Sequence, residues 1–462
     1  MKKIFLFLVA AIAFVGIDTA SAQSRSSYFM EGSYFRNDLN PALAPTRGYI
    51  ALPGLSGVGV NLSNNFLSID NFVYQRDNQL VTALHSSVSA DEFFGKLPSL
   101  GKINMDTKVN ILGVGFYAKR LYLTFGINTN VSTDMAMSMD MFKALKTLGN
   151  GVYDLGNTAL QADAYLDAYI GTSFFVHDNV RVGAKLKFLV GFASLDAQFS
   201  QLSANVTPDV VNAAMKGTWR ANGIFIDSSN MSGVEDVGNA MSVDAAYMMS
   251  SFKNFGLAVD LGAEVRLLDD QLKVSAAVTD LGFIKWKGGS NQISGSIDGS
   301  FAFNGMNFAT SQMDAEYDFV MKVDDVNDKG YTSMVNCSLN VGAEYNILNN
   351  HIAFGLLSHT KFCNTMSYSE IVASVNFRPT NWITATFSHT FMNKNRPGIF
   401  GFALNVHPAG INIFAGLDFI DTKWVMSPAI NGAQFPLPRY MKSMNAYVGI
   451  GFNFARPRYF CD

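Results

Sequence analysis

A two-residue alternation of apolar and polar side chains runs along most of this chain and limits what it can fold into. Between residues 258 and 267 the apolar positions begin with Val259 and Leu261, and mainly polar residues or glycine stand between them. The same period resumes after the acidic pair Asp269 and Asp270. Because the side chains of a β-strand point alternately to its two faces, this pattern predicts a β-hairpin with one apolar face, and the acidic pair forms its turn.

Fourteen segments of this kind can be counted along the chain. Most of them reach the roughly 9–11 residues that a tilted strand needs to cross a bilayer. Strands of this kind suit a soluble sandwich, where apolar faces meet, or a membrane barrel, where they meet lipid. The expected strands span residues 57–73, 107–118, 121–133, 160–176, 180–197, 254–268, 271–286, 334–347, 350–361, 367–378, 381–392, 398–406, 410–420 and 443–454.

The connections between these strands alternate in length, and this distinguishes the two folds. Short turns such as 119–120 and 269–270 alternate with other connections, of which 74–106, 198–253 and 287–333 are long. Outer-membrane barrels have short periplasmic turns and longer extracellular loops, whereas a sandwich has no reason to sort its loops in this way. We therefore predict an all-β fold, a closed antiparallel transmembrane β-barrel of about 14 strands over residues 57–454, with long extracellular loops.

Charged side chains fall on one face of the expected strands. Arg181, Lys185 and Lys187 alternate with apolar residues such as Val182. Three cations on an inner face are costly in a dry core but natural in a water-filled lumen. The charges expected to face the lumen, where opposite signs can pair, are Arg181, Lys185, Lys187, Asp260, Glu264, Arg266 and Lys273.

The N-terminus has the form of a secretory signal peptide. Lys2 and Lys3 precede an apolar run over residues 4–16, and Ala20-Ser21-Ala22 forms a small-residue cleavage site. We therefore expect residues 1–22 to be removed from an exported protein. Only 15% of the residues are charged, against about 25% in a typical soluble domain, so we expect the cell outer membrane as its location and membrane lipid as its surroundings. The net charge of −3 gives no sign of a nucleic-acid partner.

Residues 23–56 precede the first clear strand and are expected to form a plug inside the barrel. Pro41 and Pro45 exclude a central strand, and Asn40-Pro41 favours a turn. The triplet Asn40, Pro41 and Ala42 resembles the Asn-Pro-Ala of FadL-type outer-membrane barrels, including their PorV-like branch. The chain also resembles a Bacteroidota outer-membrane barrel family of uncharacterised function. The FadL resemblance implies that the triplet belongs to an N-terminal hatch, and an ordinary linker turn is the alternative.

Two short amphipathic helices are predicted in the long loops, over residues 89–97 and 140–148. The first begins with a capping box formed by Ser89 and Glu92. Their apolar faces either pack on the barrel rim or form a pocket at the mouth that receives an amphipathic ligand, as the FadL resemblance implies. The residues expected to bind such a ligand are Phe93, Phe94, Phe142 and Leu145.

No catalytic, metal-binding or cofactor motif is present in its required context. Residues 113–118 match a dinucleotide-binding pattern but lead into a strand and not into a helix. The nucleophile-elbow and zinc-protease motifs do not occur. Cys337, Cys363 and Cys461 are expected to be free thiols. We therefore expect a protein that is not an enzyme and that has no cofactor and no metal.

Two functions compete, and an enzyme at the outer rim, whose catalytic residues would have to come together from separate parts of the chain, is a third alternative. The first is a passive conduit for hydrophobic or amphipathic small molecules. The second, which the PorV-like branch implies, is a non-conducting structural or partner subunit of an envelope secretion or assembly complex. Strand 443–454 is expected to close the barrel, and residues 455–462 to form a periplasmic tail.

Overall fold

The structure of this protein is a computed structural model. The expected signal peptide, the C-terminal tail and Cys461 lie outside the residues that it describes. The described residues are 25–53, 56–76, 79–147, 151–154, 156–206, 211–223, 225–226, 241–242, 253–288, 292–307, 312–323, 330–364, 367–391, 399–420, 424–426, 436–438 and 443–454.

The described chain consists mainly of antiparallel strands. In chain order they are β1 (Gly48–Ala51), β2 (Val58–Asn64), β3 (Val73–Arg76), β4 (Gln79–Thr82), β5 (Leu100–Ala118), β6 (Leu121–Ser138), β7 (Gly151–Asp154), β8 (Ala159–His177), β9 (Val180–Val206), β10 (Val211–Asn222), β11 (Phe225–Ile226), β12 (Met241–Ser242), β13 (Phe255–Leu267), β14 (Leu272–Trp286), β15 (Gln292–Asn307), β16 (Gln312–Val323), β17 (Tyr331–Met334), β18 (Cys337–Ile347), β19 (Ile352–Phe362), β20 (Tyr368–Thr380), β21 (Ile383–Phe391), β22 (Ile399–Val406), β23 (Asn412–Ile420), β24 (Trp424–Met426), β25 (Pro436–Pro438) and β26 (Ser443–Phe454). The helices are a 3₁₀ turn (Arg25–Ser27), α1 (Arg36–Leu39), α2 (Ile69–Phe72), α3 (Ala90–Phe94) and α4 (Asp140–Thr147).

Fourteen strands close into a barrel, as the sequence predicted. β1 and β2 together form the first wall strand, because both pair with β26; β17 and β18 together form the eighth, because both pair with β14. The other wall strands are β5, β6, β8, β9, β13, β14, β19, β20, β21, β22, β23 and β26. Pairing of the last strand with the first leaves the wall without an open edge, as a structure that spans lipid requires.

The barrel reverses the usual arrangement of polar and apolar side chains. On β13, Asp260 is fully buried while its neighbour Leu261 is 56% exposed. The same alternation is seen on β20, where Val375 is 42% exposed and its neighbour Asn376 is fully buried. An apolar exterior around a polar interior is the pattern of a barrel that sits in a membrane. The protein is therefore an outer-membrane β-barrel. No helix of the described part is both long and apolar enough to cross a bilayer.

The wall begins earlier than the sequence indicated, and its first strand is interrupted. Gly48–Ala51 already pairs with β26 and β5, so the wall starts nine residues before the expected boundary at residue 57. The expected strand 57–73 ends at Asn64, whose Oδ1 accepts hydrogen bonds from the backbone N–H groups of Phe66 and Leu67 (3.1 and 2.6 Å). These bonds take the place of ladder bonds, and Ser68 then caps α2.

Two expected loops contain a sheet that extends one side of the wall. β9 continues to Val206 and pairs with β10, which in turn pairs with β15, and β15 with β16. The alternation predicted no strands within the long connections 198–253 and 287–333, and the structure places these strands there. Glycine and serine occupy many positions of residues 292–307, which weakens the alternation that identified the other strands.

Both predicted loop helices are present. The Oγ of Ser89 accepts a hydrogen bond from the backbone N–H of Glu92 (3.2 Å) at the start of α3. α4 runs from Asp140 to Thr147 within the predicted segment 140–148, whose last residue lies outside the described residues. Cys337 and Cys363 are free thiols.

Candidate functional site

Residues 25–47, named here the N-terminal segment, lie inside the barrel lumen. Hydrogen bonds join this segment to strands around the wall. They include Ser26 Oγ to Asp418 Oδ1 (2.6 Å), Tyr28 with Ser275 (2.9 Å), Arg378 to the carbonyl of Phe29 (2.8 Å), Asn412 to the carbonyl of Gly32 (2.8 Å), Asn340 to the carbonyl of Leu39 (2.8 Å) and Ser173 to the carbonyl of Ala42 (3.3 Å). The segment is thus held from several sides of the lumen by non-covalent polar contacts, and its side chains Phe29 and Leu39 also belong to a buried apolar cluster that includes Leu357 of the wall.

The Asn-Pro-Ala triplet forms a tight turn at the far end of this segment. Asn40 Oδ1 accepts from the backbone N–H of Ala42, and the Asn40 carbonyl accepts from the N–H of Leu43, both at 2.9 Å. The Asn40 side chain also donates to the Tyr28 hydroxyl (3.1 Å). Asparagine therefore supplies both the turn geometry and a link back to the start of the segment.

Two wall glycines receive this turn. A Cβ at Gly183 would lie 2.3 Å from the carbonyl carbon and oxygen of Pro41, and a Cβ at Gly262 would lie 2.1 Å from Asn40 Oδ1. Both distances are far below van der Waals contact, so only glycine allows the turn to approach the wall. Sequence reasoning missed these two residues; the only available signal was glycine at inward positions of β9 and β13.

Asp38 of the N-terminal segment is held between two wall lysines. Lys185 Nζ lies 2.7 Å from Asp38 Oδ1, and Lys108 Nζ lies 3.0 Å from Asp38 Oδ2. The Lys185 side chain is 2% exposed. Lys185 was among the predicted lumen charges, but its partner Asp38 was not.

The remaining predicted lumen charges also point inward. Lys187 contacts Asp260 (2.8 Å), and Arg266 contacts Glu264 (2.6 Å). Lys273 forms an ion pair with Glu31 of the N-terminal segment. Arg181 donates to Ser173 Oγ (2.9 Å), which in turn donates to the carbonyl of Ala42.

Buried ion pairs of this kind specify position more than they add stability. Removing both partners is often harmless, but removing one leaves an uncompensated charge, which costs about 3–5 kcal/mol. The pairs at Asp38 and Glu31 therefore strongly disfavour any arrangement in which the N-terminal segment leaves while its wall partners stay buried.

The two carboxylates that hold the segment have lowered pKa values. Burial alone would raise the pKa of Glu31, but the charges of Arg378 and Lys273 outweigh it and hold that pKa well below its usual value. Burial of Asp38 is likewise outweighed by Lys108 and Lys185, so its pKa is also lowered.

We expect the N-terminal segment to stay docked from neutral pH down to about pH 5 and to loosen only in stronger acid. A carboxylate with a lowered pKa stabilises docking above its free pKa of about 4, and this stabilisation is lost as the pH falls below that value. Conductance of the purified protein in planar bilayers at graded pH measures the release. The acid response should be weaker in Glu31→Gln, and an opening that begins near pH 7 would contradict the assignment.

An aromatic cluster lies in the loops at the outer end. The Phe93 side chain is fully buried, and its ring centroid lies 5.6 Å from that of Phe72, 5.5 Å from Phe94 and 6.4 Å from Phe142. The structure thus brings together three of the four residues expected to bind a ligand, and their rings pack on one another. The side chain of Leu145, the fourth of these residues, is outside the part of the chain that the structure describes.

These features define a class: a closed outer-membrane β-barrel whose lumen contains the N-terminal segment of its own chain. The protein belongs to a family of unknown function, DUF5723, whose model matches residues 41–418. No curated protein matches the chain in sequence. Among the described residues, no group of three or more His, Cys, Asp or Glu side chains is arranged to hold a metal ion.

Several solved structures are similar to this chain. A FadL homologue from Pseudomonas aeruginosa is 8% identical, with 95% of this chain and 98% of that chain covered and a TM-score of 0.42. The Pseudomonas putida toluene transporter TodX is 10% identical, with 94% of each chain covered and a TM-score of 0.35. The translocator domain of the autotransporter NalP from Neisseria meningitidis is 7% identical, with 94% and 99% covered and a TM-score of 0.32.

Proposed function

We propose that this protein is a gated conduit for amphipathic small molecules and that the N-terminal segment is its plug. The observation that carries this proposal is the way the segment fills the lumen. It joins the described wall covalently at Gly48, and its other contacts are hydrogen bonds, ion pairs and apolar packing, which can separate without cleavage of the chain. A barrel whose lumen never opens does not need a separate segment that is held in place by ion pairs.

The lining of the lumen favours amphipathic over purely hydrophobic cargo. At the outer end, the ring of Phe66 lies 6.1 Å from that of Phe142 in the aromatic cluster and packs against Gly101 of β5. Further along the same strand, Asn104, Asp106 and Lys108 all take part in polar contacts inside the lumen. A molecule that moves inward therefore meets apolar rings first and charged or amide groups next. An apolar molecule would gain nothing from the second environment.

Native mass spectrometry of the full-length protein, extracted from membranes in mild detergent, tests the conduit. We expect bound amphipathic small molecules that are lost from Phe93→Ala, because that change opens the centre of the aromatic cluster. Phe387→Ala is the matched control, since Phe387 is 58% exposed on the outer wall. A wild-type protein that is consistently empty, or equal loss from both variants, would argue against this entry site.

One observation favours the second candidate, a non-conducting subunit of an envelope complex. Within the described part of the chain, β16 pairs only with β15, so the outer sheet ends in a 12-residue strand with one edge open. Open strand edges bind other chains by adding a strand. The same mass spectra decide: a stable protein partner in every preparation, with no small molecule, would favour the subunit over the conduit. We assign no enzymatic activity to either candidate.

A further inference from the structure

Side chains from opposite walls meet inside the outer half of the lumen. β5 and β19 are the second and ninth of the fourteen wall strands, and they lie across the lumen from each other. Lys361 of β19 nevertheless forms an ion pair with Asp106 of β5. Beside this pair, Asn336 donates to Ser132 Oγ (2.8 Å) on β6. Contacts between side chains of opposite wall strands therefore narrow the lumen here, without any contribution from the plug.

A polar chamber of about 70 Å³ lies at this constriction. Its lining presents both signs of charge, with Lys108 and Lys361 as cations and Asp106 and Asp280 as anions. Asp280 reaches the chamber because the wall is irregular there: its φ is +60°, and the pairing of β13 with β14 shifts register beside it. The cation Arg25 of the plug completes one side.

Each charge that lines the chamber already has a partner of opposite sign. Lys361 pairs with Asp106. The other pairs are Lys108 with Asp38 (3.0 Å), Asp280 with Lys187 (2.5 Å) and Arg25 with Glu370 (2.7 Å). A ligand with a single charge would take one member of a pair and leave the other buried and uncompensated, which is strongly unfavourable. A ligand with both charges compensates both members at once.

We propose that this chamber binds a small zwitterion, with an ammonium and a carboxylate group like a free α-amino acid, between Lys361 and Asp106. The ligand carboxylate replaces Asp106 beside Lys361, and its ammonium replaces Lys361 beside Asp106. This site deepens the proposed function, because it names the polar part of the molecule that the conduit would carry, and to that extent it rests on that function.

His359 provides a further acceptor in the chamber lining. Asn340 donates through Nδ2 to the carbonyl of Leu39 (2.8 Å), which fixes the orientation of its amide. Asn340 Oδ1 must then accept from His359 Nδ1 (2.7 Å). In the neutral ring, Nε2 is left as an acceptor, which suits the N–H groups of an ammonium ion.

The size of the chamber limits the ligand. At roughly 10–15 Å³ for each water-sized position, 70 Å³ holds about five to seven such positions. This space suits glycine or alanine and excludes an aromatic amino acid unless the plug moves.

Binding of three probes to the full-length protein in detergent, measured by equilibrium dialysis, tests the site. L-alanine has both charges, while propionate and ethylamine each keep one of them on a similar carbon frame. We expect alanine to bind at least tenfold more tightly than either of the others. Equal binding of propionate or ethylamine, or no binding of alanine to the wild-type protein, would overturn the proposal.

A double variant controls for folding. Asp106→Asn/Lys361→Gln removes the ion pair without leaving a lone charge, so the barrel should still form and alanine affinity should fall at least tenfold. Lys216→Gln is the matched control, since Lys216 pairs with Asp298 on the exposed outer sheet (3.5 Å). If the double variant is folded, as shown by its heat-dependent gel mobility, and binds alanine as wild type does, the site is wrong. That result would not contradict the proposed conduit. The conduit is tested by bound amphipathic molecules in the mass spectra and by conductance after release of the plug, and neither measurement uses alanine.

Discussion

Replacing Asp38 by lysine is expected to open the barrel. The new ammonium group would face Lys108 and Lys185, which now share the Asp38 carboxylate at 3.0 and 2.7 Å. Loss of one partner of a buried ion pair costs about 3–5 kcal/mol, and reversal of the charge adds repulsion. Since about 1.4 kcal/mol is a factor of ten, the population of undocked plug should rise at least a hundredfold.

Single-channel conductance in planar bilayers measures this opening. Asp38→Asn should give a smaller increase, because it leaves the two lysines uncompensated without adding a third cation. The double change Asp38→Lys/Lys185→Asp restores one ion pair and should close the barrel again in part. A folded Asp38→Lys protein with the conductance of the wild type would mean that the N-terminal segment does not gate the lumen.

Replacing Leu356 by arginine is expected to destabilise the barrel in lipid by roughly 2–4 kcal/mol, the cost of an arginine on the lipid face near the bilayer midplane. Leu356 is 53% exposed and lies in the middle of β19. In water, an arginine at such an exposed position would be almost neutral, so the variant separates a lipid-facing wall from a water-facing one. The free energy of unfolding in urea, measured in phospholipid vesicles, gives the difference.

Leu268→Arg is the control for this experiment. Leu268 is 63% exposed but lies in the short turn between β13 and β14, outside the membrane-spanning strands. Its replacement should change stability by less than about 0.5 kcal/mol, as is usual for surface substitutions. Equal effects at both positions would contradict the assignment of the apolar face to lipid.

The barrel was predictable because its determinants are local. Alternation at every second residue reports which face of a strand is apolar, and the order of short and long connections reports the two ends of the barrel. The end of the first strand at Asn64 was not predictable in this way, because it depends on one side chain that competes for backbone N–H groups. The strands of residues 292–307 and 312–323 were missed because the first of these is rich in glycine and serine.

The site was less accessible to sequence reasoning, because its contacts join distant parts of the chain. The alternation of side chains between the two faces of β9 and β13 indicated which charges face inward. It gave no means of matching Lys185 to Asp38, which lies 147 residues earlier. Asp280 was missed because it sits where the register of β14 shifts, so that regular alternation does not describe its direction. Gly183 and Gly262 were missed because an absent side chain is informative only when its neighbour is known.

The position of the plug at the start of the chain has a consequence for biogenesis. Its docking partners include Asn412 and Asp418 on the thirteenth wall strand, and Tyr34 lies against Gly451 on the fourteenth. A nascent chain that has reached only its first ten strands cannot complete this docking. The N-terminal segment must therefore complete its docking when the last two wall strands are added. Closure of the barrel and docking of this segment are then one coupled step.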